Sequence, residues 1–353
     1  MKQYALIIPA LNPDTALLSY VQSCIRHGFS RIVVVDDGSG AGCADLFAQL
    51  EENREVTVLR HGQNRGKGRA LKTAFAYCMQ KEAKWQLSGV ITVDSDGQHR
   101  IPDVCRVAEA MDGTSLVLGC RELFGENVPP KSRFGNQLTC RVFCLLYGTW
   151  IPDTQTGLRG IPMAWIPLLL RIAGERYEYE TEMLIAAVKH NISIKELTIE
   201  TIYVENNAGT HFRPIVDSVK IYAVLLKSFL WYTLSSLSAA VLDELAFFLL
   251  NRFVFARLAQ ESRILAATAA ARILSSVYNF TVNRRAVFRA DGKVGVQLMK
   301  YYCLAAVQML VSAGLVILLV KPLPFGDTAV KVLVDACLFF LSYQIQKRWI
   351  FKG

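Results

Sequence analysis

Short apolar runs alternate with mixed polar and apolar stretches over the first 214 residues of the chain. The apolar runs are residues 4–8, 31–35, 56–59, 89–93 and 116–118. Their length and continuous apolarity predict buried strands, the first of them ended by Pro9. The stretches between them, for example residues 15–27 and 68–81, have the length and pattern of helices. Buried strands separated by helices predict an α/β domain with a parallel sheet covered on both faces.

Four long apolar stretches follow, at residues 229–255, 264–282, 302–320 and 329–345. Each approaches the roughly 20 residues that a helix needs to cross about 30 Å of hydrocarbon. A soluble helical bundle is the alternative, but the third stretch contains no charged residue at all. The pattern therefore predicts an all-α transmembrane domain of four helices.

Charge supports a membrane protein rather than a nucleic-acid-binding one. The chain has 39 Lys and Arg against 30 Asp and Glu, and its mean hydropathy of +0.27 excludes a disordered chain. The cations concentrate in two segments: Arg284, Arg285, Arg289, Lys293 and Lys300 between the second and third stretches, and Lys347, Arg348 and Lys352 after the fourth. The positive-inside rule then predicts a multi-pass protein of the cell membrane with its N-terminal domain, middle loop and C-terminus in the cytoplasm.

The pattern of cysteines and the first residues of the chain are also typical of a cytoplasmic N-terminal domain. Nine cysteines occur without a Cys-x-x-Cys pair, which predicts reduced thiols and no structural zinc or disulfide framework. The first residues lack the basic and apolar regions of a signal peptide.

Acidic residues follow two of the predicted strands, and ligands of such sheets bind beyond the carboxyl ends of the strands. Asp36 and Asp37 follow the second strand, where a carboxylate can accept a hydrogen bond from a ribose or a base; the alternative is a tight turn. Asp94 and Asp96 follow the fourth strand and, at positions i and i+2, face the same way. They can converge on Mg²⁺ or Mn²⁺ with Gln98 as a further oxygen ligand; a polar turn is again the alternative.

A basic, glycine-spaced loop at residues 64–70 enters a predicted helix. Its backbone N–H groups and cations, Lys67 among them, suit an anion, although the spacing is not that of a Walker A loop. Two further polar segments lie at residues 153–160 and 177–182. In the second, Glu180 and Glu182 come just before an apolar helical stretch and fit the acidic first turn of a helix.

The order of these motifs resembles the family 2 glycosyltransferases, in the branch of the polyprenyl-phosphate hexose synthases. The segments that carry the resemblance are residues 8–12, 36–39, 64–68, 94–99 and 153–160. Residues 210–214 look like the bacterial undecaprenyl-phosphate branch, and residues 279–288 and 347–351 resemble a GtrA-type four-helix membrane domain. The resemblance implies a GT-A-type, mainly parallel sheet flanked by helices in residues 1–214, a juxtamembrane amphipathic helix at 215–228 and the membrane domain at 229–353.

The resemblance also implies roles for single residues. The nucleotide sugar is expected to contact Pro9, Ala10, Asn12, Asp36, Asp37, Lys67 and Asp94. The divalent metal, Mg²⁺ or Mn²⁺, is expected on Asp94, Asp96 and Gln98. The catalytic set is Asp96, Arg121 and Arg133, the two arginines meeting the lipid phosphate or the diphosphate.

The implied activity is inverting transfer of a hexose from a UDP- or GDP-linked sugar to polyprenyl phosphate, which supplies a donor for cell-envelope glycosylation. A cell-wall polysaccharide glycosyltransferase is one alternative, and a non-enzymatic protein that binds or flips lipid-linked sugars is another. Association of copies through the membrane domain is left open. Within the predicted spans, Arg272 is expected to pair with Asp243 or Glu244, because unpaired charges are costly there.

Overall fold

The computed structural model describes residues 3–122, 130–200, 214–320 and 326–351, with residues 130–132 and 214 described by their backbone only. It divides into two compact units, Met1–Leu225 and Leu226–Gly353. The segment 210–213, which carries part of the family resemblance, lies outside the described residues.

The first unit is built on a seven-stranded sheet with the order β3-β2-β1-β4-β6-β5-β7. Its strands are β1 (Tyr4–Ala10), β2 (Ile32–Asp36), β3 (Val56–Arg60), β4 (Gly89–Thr92), β5 (Leu116–Arg121), β6 (Arg159–Pro162) and β7 (Ile194–Ile199). All pairings are parallel except those of β6, which runs antiparallel to β4 and to β5. The prediction of a mainly parallel α/β sheet is therefore confirmed.

Helices join the strands of this sheet. They are α1 (Ala16–Arg26), α2 (Ala44–Glu51), α3 (Lys67–Trp85), α4 (Ile101–Ala110), α5 (Pro130–Tyr147), α6 (Ile166–Leu169) and α7 (Glu178–Lys189). Every residue of β1 and β2 is buried, as continuous apolar strands between helical layers require. One face of α5 buries Phe143 and Leu146, while Leu138 and Leu145 on the same helix are exposed.

The prediction that Pro9 ends the first strand is wrong. Strand β1 continues to Ala10, and Pro9 pairs in register with Val35 of β2. On its other side β1 pairs with β4 only as far as Ile7, whose carbonyl accepts a hydrogen bond from Val93. Alternation along the strand turns the nitrogen of Pro9 toward this unpaired side, so its missing N–H costs the sheet no hydrogen bond.

The second unit contains the rest of α8 (Pro214–Leu249), which begins in the first unit, and α9 (Gln260–Val282), α10 (Val294–Val320) and α11 (Asp327–Ile345). Residues 215–228 form the first part of α8. Within the described residues, three helical segments are long and apolar enough to cross a membrane: Ile215–Val254, Val294–Val320 and Asp327–Ile350. Helix α9 is not among them, so the fourth span stays a prediction.

The expected ion pair between the first two helices of this unit is confirmed. A guanidinium nitrogen of Arg272 lies 3.4 Å from Asp243 Oδ2, and Ser275 Oγ donates to Asp243 Oδ1 at 2.8 Å. The two segments that resemble the GtrA-type domain pack against each other. The rings of Phe288 and Phe351 stack with centroids 5.3 Å apart.

Candidate active site

A cavity of about 230 Å³ lies at the carboxyl ends of β1 and β4. Strand order reverses there, because the chain passes from β1 to β2 on one side and returns to β4 on the other. Such a switch point is the usual ligand site of an open α/β sheet. The predicted site residues that line it are Pro9, Ala10, Asp37, Lys67, Asp94 and Asp96, joined by Leu11, Asn64, Gly66, Ala70, Ser95, Arg176 and Tyr177.

Lys67 carries positive charge into this cavity. It is the first residue of α3, and its Nζ lies 2.6 Å from Asp94 Oδ1 and 2.8 Å from Glu180 Oε1. Burial alone would lower the pKa of Lys67, but the two carboxylates outweigh burial and raise it. The neighbouring Tyr177 ring lies 5.8 Å from the ammonium, and burial raises the pKa of Tyr177 to about 12. The lysine is therefore a fixed cation, and Tyr177 stays neutral.

The two acidic residues after β4 have different surroundings. Burial would raise the pKa of Asp94, but Lys67 and His99, whose Nε2 lies 3.5 Å away, outweigh it and lower that pKa. Asp96 lies at the exposed rim, where desolvation within the cleft and the charge of Asp94 raise its pKa. The backbone N–H of Gln98 donates to Asp96 Oδ1 at 3.1 Å. The site thus holds one carboxylate neutralised by Lys67 and one whose negative charge is disfavoured.

This pair of carboxylates fits a divalent cation that takes some of its ligands from the protein and the others from a bound substrate. In the part of the chain that the structure describes, no group of three or more His, Cys, Asp or Glu side chains could hold a metal ion by itself. Mg²⁺, however, is commonly held by one or two carboxylates and completes its shell with water and substrate phosphates. Asp94 and Asp96 meet that requirement. Gln98 does not line the cavity, so its role as a ligand stays a prediction.

Gly157 provides the space for the Asp94 carboxylate. A Cβ at this position would overlap both carboxylate oxygens of Asp94. The backbone is held there by Thr92 at the end of β4, whose Oγ1 donates to the carbonyl of Gly157 just before β6 at 2.7 Å. The polar segment 153–160 therefore shapes the wall behind Asp94.

The Asp37 carboxylate accepts hydrogen bonds from the loop that leads into α3 and holds that loop in place. His61 Nδ1 lies 2.7 Å from its Oδ1, and the N–H groups of Arg65 and Gly66 donate to its two oxygens at 3.0 and 2.7 Å. Only 3% of Asp37 is exposed. It lines the cavity while fixing the basic loop, and its contact with a base or ribose stays a prediction.

Asp36 and Asn12 hold adjacent loops rather than line the cavity. Asp36 Oδ1 accepts from the N–H of Ser39 at 2.8 Å. Asn12 has a left-handed backbone, with φ of 44°, and its Oδ1 accepts from Gly40 N–H at 2.8 Å while its own N–H donates to Ser39 Oγ at 2.9 Å. Asparagine tolerates this conformation better than most residues. The contacts join the loop after β1 to the loop after β2.

The two predicted catalytic arginines are not brought into this cavity. Arg121 makes a bidentate ion pair with Asp153, with Nε to Oδ2 at 2.6 Å and Nη2 to Oδ1 at 3.0 Å. Asn136 Nδ2 donates to the same carboxylate at 3.2 Å. Burial would raise the pKa of Asp153, but Arg121 outweighs it and lowers that pKa. Arg133 lies half-buried in α5, and residues 123–129 between the two arginines are outside the described residues.

Sequence reasoning missed Arg176 as a cavity residue. Arg176 and Tyr177 belong to a segment that α3 holds in place. Arg69 donates to both carboxylate oxygens of Glu175 at 2.5 and 2.6 Å, and Lys72 Nζ donates to the carbonyl of Gly174 at 2.8 Å. No motif surrounds Arg176; its only signal was its position just before the acidic start of α7.

Comparisons with known proteins match both units. The Glycosyl transferase family 2 profile matches residues 5–157, and the profile described as GtrA/DPMS, transmembrane domain matches residues 220–351. An uncharacterized protein of Methanocaldococcus jannaschii is 32% identical over 205 residues, covering 56% of this chain and 81% of that protein. The UDP-N-acetylglucosamine–dolichyl-phosphate N-acetylglucosaminyltransferase of Methanococcus voltae is 31% identical over 241 residues, covering 63% of this chain and 94% of that enzyme.

Among solved structures, glucosyl-3-phosphoglycerate synthase from Mycobacterium tuberculosis superposes with a TM-score of 0.48 and 18% identity, covering 64% of this chain and 79% of that one. The two sequence relatives, of which the chain covers 81% and 94%, and the two profile matches determine the family. The chain belongs to glycosyl transferase family 2, with its catalytic domain fused to a GtrA/DPMS transmembrane domain.

Proposed function

We propose that this chain transfers a hexose from a UDP- or GDP-linked sugar to polyprenyl phosphate, with inversion at the anomeric carbon. The observation that carries the proposal is the cavity at the switch point, where Asp94 and Asp96 lie with Lys67 and Arg176 in a chain that also has candidate membrane spans. The Methanococcus voltae relative, whose name gives dolichyl phosphate as its acceptor, supports the lipid phosphate.

The residues of the cavity suit the donor diphosphate. Lys67 and Arg176 present positive charge to it, and the N-terminus of α3 adds its dipole. A divalent metal on Asp94 and Asp96, Mg²⁺ or Mn²⁺, would supply Lewis-acid stabilisation of the nucleoside diphosphate leaving group. Lys67 forms ion pairs with Asp94 and Glu180, and these two carboxylates hold its ammonium group at the N-terminus of α3.

The acceptor supplies its own nucleophile. A phosphate monoester has a second pKa near 6, so it is largely dianionic at neutral pH. A phosphate oxygen forms the new bond to the anomeric carbon while the bond from that carbon to the diphosphate oxygen breaks. Attack from the face opposite the leaving group inverts the configuration, and no strong general base is needed. Arg121 and Arg133 are the proposed partners of the lipid phosphate.

The proposed location is the cell membrane, with the catalytic domain in the cytoplasm. Cytoplasmic nucleotide sugar and membrane-embedded polyprenyl phosphate would then meet at the same surface. The product would serve as a lipid-linked donor for glycosylation of the cell envelope.

The test uses the full-length protein in detergent with undecaprenyl phosphate. UDP-glucose, UDP-N-acetylglucosamine and GDP-mannose, each radiolabelled, are supplied singly with Mg²⁺ or Mn²⁺. We expect one of them to give a labelled organic-soluble product. Asp96→Asn should lower transfer by about 10²-fold or more, since several kcal/mol of charge stabilisation are lost. Asp45→Asn, an exposed carboxylate in the first turn of α2, is the matched control.

Two outcomes would reject the proposal. Label that enters a polysaccharide instead of the lipid fraction would indicate the cell-wall glycosyltransferase. Binding of a nucleotide sugar without any transfer would indicate the non-enzymatic alternative.

A further inference from the structure

A buried histidine, His61, lies beside the candidate active site without lining its cavity. It comes directly after β3, and its side chain is only 5% exposed. Its backbone N–H donates to the carbonyl of Asp36 at 2.9 Å, one step beyond the last paired residues of β2 and β3. The ring is therefore held at the carboxyl end of the sheet, where the loops of the site begin.

Both ring nitrogens of His61 have partners. Nδ1 lies 2.7 Å from Asp37 Oδ1, and Nε2 lies 2.9 Å from Oγ1 of Thr73 in α3. An ionised carboxylate only accepts hydrogen bonds, so Nδ1 is the nitrogen that carries a proton and donates to Asp37. A hydroxyl both donates and accepts, so Thr73 suits Nε2 with or without a proton. The ring thus bridges the end of β2 and α3.

The contact with Asp37 reaches the loop that enters α3. Asp37 Oδ1 also accepts from the N–H of Arg65 at 3.0 Å, and Oδ2 accepts from the N–H of Gly66 at 2.7 Å. Gly66 has φ of 102°, and a Cβ there would overlap the carbonyl of Glu175. The loop is therefore closely packed, and its two N–H groups are satisfied only when the Asp37 carboxylate points toward them.

This loop carries the cation of the site. Lys67 follows Gly66 directly and is the first residue of α3, and it lines the cavity. A shift of the loop thus moves the backbone from which the ammonium group of Lys67 reaches the cavity. A buried carboxylate that loses a hydrogen-bond donor is strongly destabilised, so loss of His61 would turn or displace Asp37 and release the loop.

We propose that His61 is a positioning residue for binding of the donor diphosphate. Its Nδ1–H fixes the Asp37 carboxylate, and Asp37 holds the two backbone N–H groups that place Lys67. The inference rests on the proposed function, in which Lys67 meets the diphosphate. His61 itself touches neither substrate, so its loss should raise the KM for the nucleotide sugar and leave kcat nearly unchanged.

Two conservative variants separate this role from simple packing. Asparagine at position 61 places its amide nitrogen near the position of Nδ1 and can donate to Asp37. Glutamine places its amide near the position of Nε2, beside Thr73. If the ring only fills space, the larger glutamine should replace it better. If the hydrogen bond to Asp37 matters, asparagine should replace it better.

The test measures binding to the full-length protein in detergent by isothermal titration calorimetry. The probes are UDP, GDP and inorganic pyrophosphate, each with Mg²⁺; uridine and guanosine report on the nucleoside alone. We expect His61→Gln to weaken binding of pyrophosphate and of the preferred nucleoside diphosphate about tenfold, the loss of one hydrogen bond to a charged group. His61→Asn should retain most of the affinity, and nucleoside binding should not change.

Steady-state kinetics with the donor varied gives the second readout. His61→Gln should raise the KM for the nucleotide sugar about tenfold, in line with the loss of binding. His27→Gln is the matched control, because His27 is exposed at the end of α1 and contacts only the Ser23 carbonyl of its own helix. Size-exclusion profiles and thermal unfolding followed by circular dichroism establish that each variant is folded.

Thr73→Val tests the same ring from α3. It keeps the volume of threonine and removes the contact with Nε2, so the ring can turn away from Asp37. It should therefore weaken pyrophosphate binding as well, and it gives the answer by itself if His61→Gln does not fold.

The inference is overturned if the folded variants His61→Gln and Thr73→Val bind pyrophosphate like the wild type, or if His61→Asn binds it as weakly as His61→Gln. It is also overturned if only nucleoside binding weakens, if only kcat falls, or if the wild type binds none of the three diphosphate probes. Failure of the proposed function is a different result: the wild type then binds a nucleoside diphosphate but transfers no sugar to lipid, and the binding comparison still decides the role of His61.

Discussion

At the scale of single residues, the close contact between Gly157 and Asp94 restricts the proposed active site sterically. The carboxylate of Asp94 occupies the space that a side chain at 157 would need. The position of Asp94 is therefore set by the segment just before β6 as well as by the loop after β4. A residue without any functional group thus determines where a proposed metal ligand lies.

Gly157→Ala should lower sugar transfer by about 10²-fold, because a displacement of an ångström at a reacting site has an effect of that size. The measurement is kcat/KM as a function of Mg²⁺ or Mn²⁺ concentration, and the apparent metal affinity should fall as well. Gly62→Ala is the control, since a Cβ there meets no atom within 4 Å. Equal activity of the two variants would contradict the assigned role of Gly157.

The ion pair between Arg121 and Asp153 should make stability depend on pH. Asp153 is fully buried and its pKa in the folded chain is lowered, against about 3.9 in an unfolded chain. The pair therefore stabilises the fold above that unfolded value, and this contribution is lost as pH falls through the folded pKa.

Asp153→Asn should lower the free energy of unfolding by about 3 kcal/mol at pH 7, because Arg121 then lacks its buried partner. The difference in the free energy of unfolding between Asp153→Asn and the wild type should become smaller below about pH 4. Urea unfolding followed by tryptophan fluorescence at several pH values measures it. A difference that stays constant down to pH 3 would show that the pair does not contribute in this way.

Sequence reasoning predicted several residues that line the cavity, but not the contacts that hold them there. Asp94, Asp96 and Lys67 were predictable because strand ends and glycine-spaced loops have known ligand roles. The ion pair of Lys67 with Glu180 was not, since it joins residues 113 positions apart on different elements. Nor was the loop-fixing role of Asp37, which depends on backbone N–H groups that any residue supplies.

At the scale of elements, α3 organises one side of the cavity. It presents Lys67 at its first turn and holds the segment before α7 through Arg69 and Lys72. Gly68 allows close approach, because a Cβ there would overlap the Cβ of Tyr179 and the backbone of Glu175. The position of Arg176 and Tyr177 thus depends on contacts outside the cavity.

Glu175→Gln should raise the KM for the nucleotide sugar by up to about fivefold and leave kcat nearly unchanged. Glu175 and Arg69 are partly exposed, so their interaction is in the range of up to about 1 kcal/mol. Steady-state kinetics with the donor varied makes the measurement. Glu55→Gln is the control. It removes a surface ion pair with Arg54 that is not part of the segment before α7, so it should change neither KM nor kcat.

If Glu175→Gln instead lowered kcat alone, the segment would act on the chemical step rather than on donor binding. Loss of both parameters together with loss of folded protein would show that the α3 contacts are structural only.

The strands differed in how well their sequences predicted them. Strands β1 to β5 were predictable because each is a continuous apolar run. Strand β6 has four residues, including a fully buried Arg159 and Pro162, and carries no apolar pattern. The Arg159 guanidinium is held by the carbonyls of Thr156 and Glu180, a tertiary arrangement that local sequence does not encode. Strand β7 has three exposed residues among its six, and it was missed because polar residues interrupt its apolar positions.

At the scale of the whole molecule, the number of membrane spans decides on which side the C-terminus lies. In the part of the chain that the structure describes, three helical segments have the apolarity of spans, and α9 does not. The described contacts explain why a crossing α9 can be more polar. Toward α8 it places Asn279 against Ser235 and Arg272 against Asp243, and toward α10 it places Ser276 against Tyr302.

These contacts pair α8 and α9 in antiparallel register, since residues later in α9 meet residues earlier in α8. With 23 residues, α9 is about 34 Å long, enough for the hydrocarbon core. Polar side chains that face neighbouring helices are tolerated in a span, because they find hydrogen-bond partners there. The packing therefore favours four spans.

A four-span chain would have its C-terminus on the same side as its N-terminal domain, and the positive-inside rule predicts that this side is the cytoplasm. Green fluorescent protein fused after Gly353 should fluoresce, and alkaline phosphatase fused there should be inactive. Phosphatase fused after Arg257, between α8 and α9, should be active, because that position would lie on the opposite side. In a cysteine-free background, a cysteine at Gly292 should react with an impermeant maleimide only after the cells are opened. If α9 did not cross, the C-terminal fusions would give the reverse result, a dark fluorescent protein and an active phosphatase, and the polar contacts of α9 would have to form at the membrane surface instead.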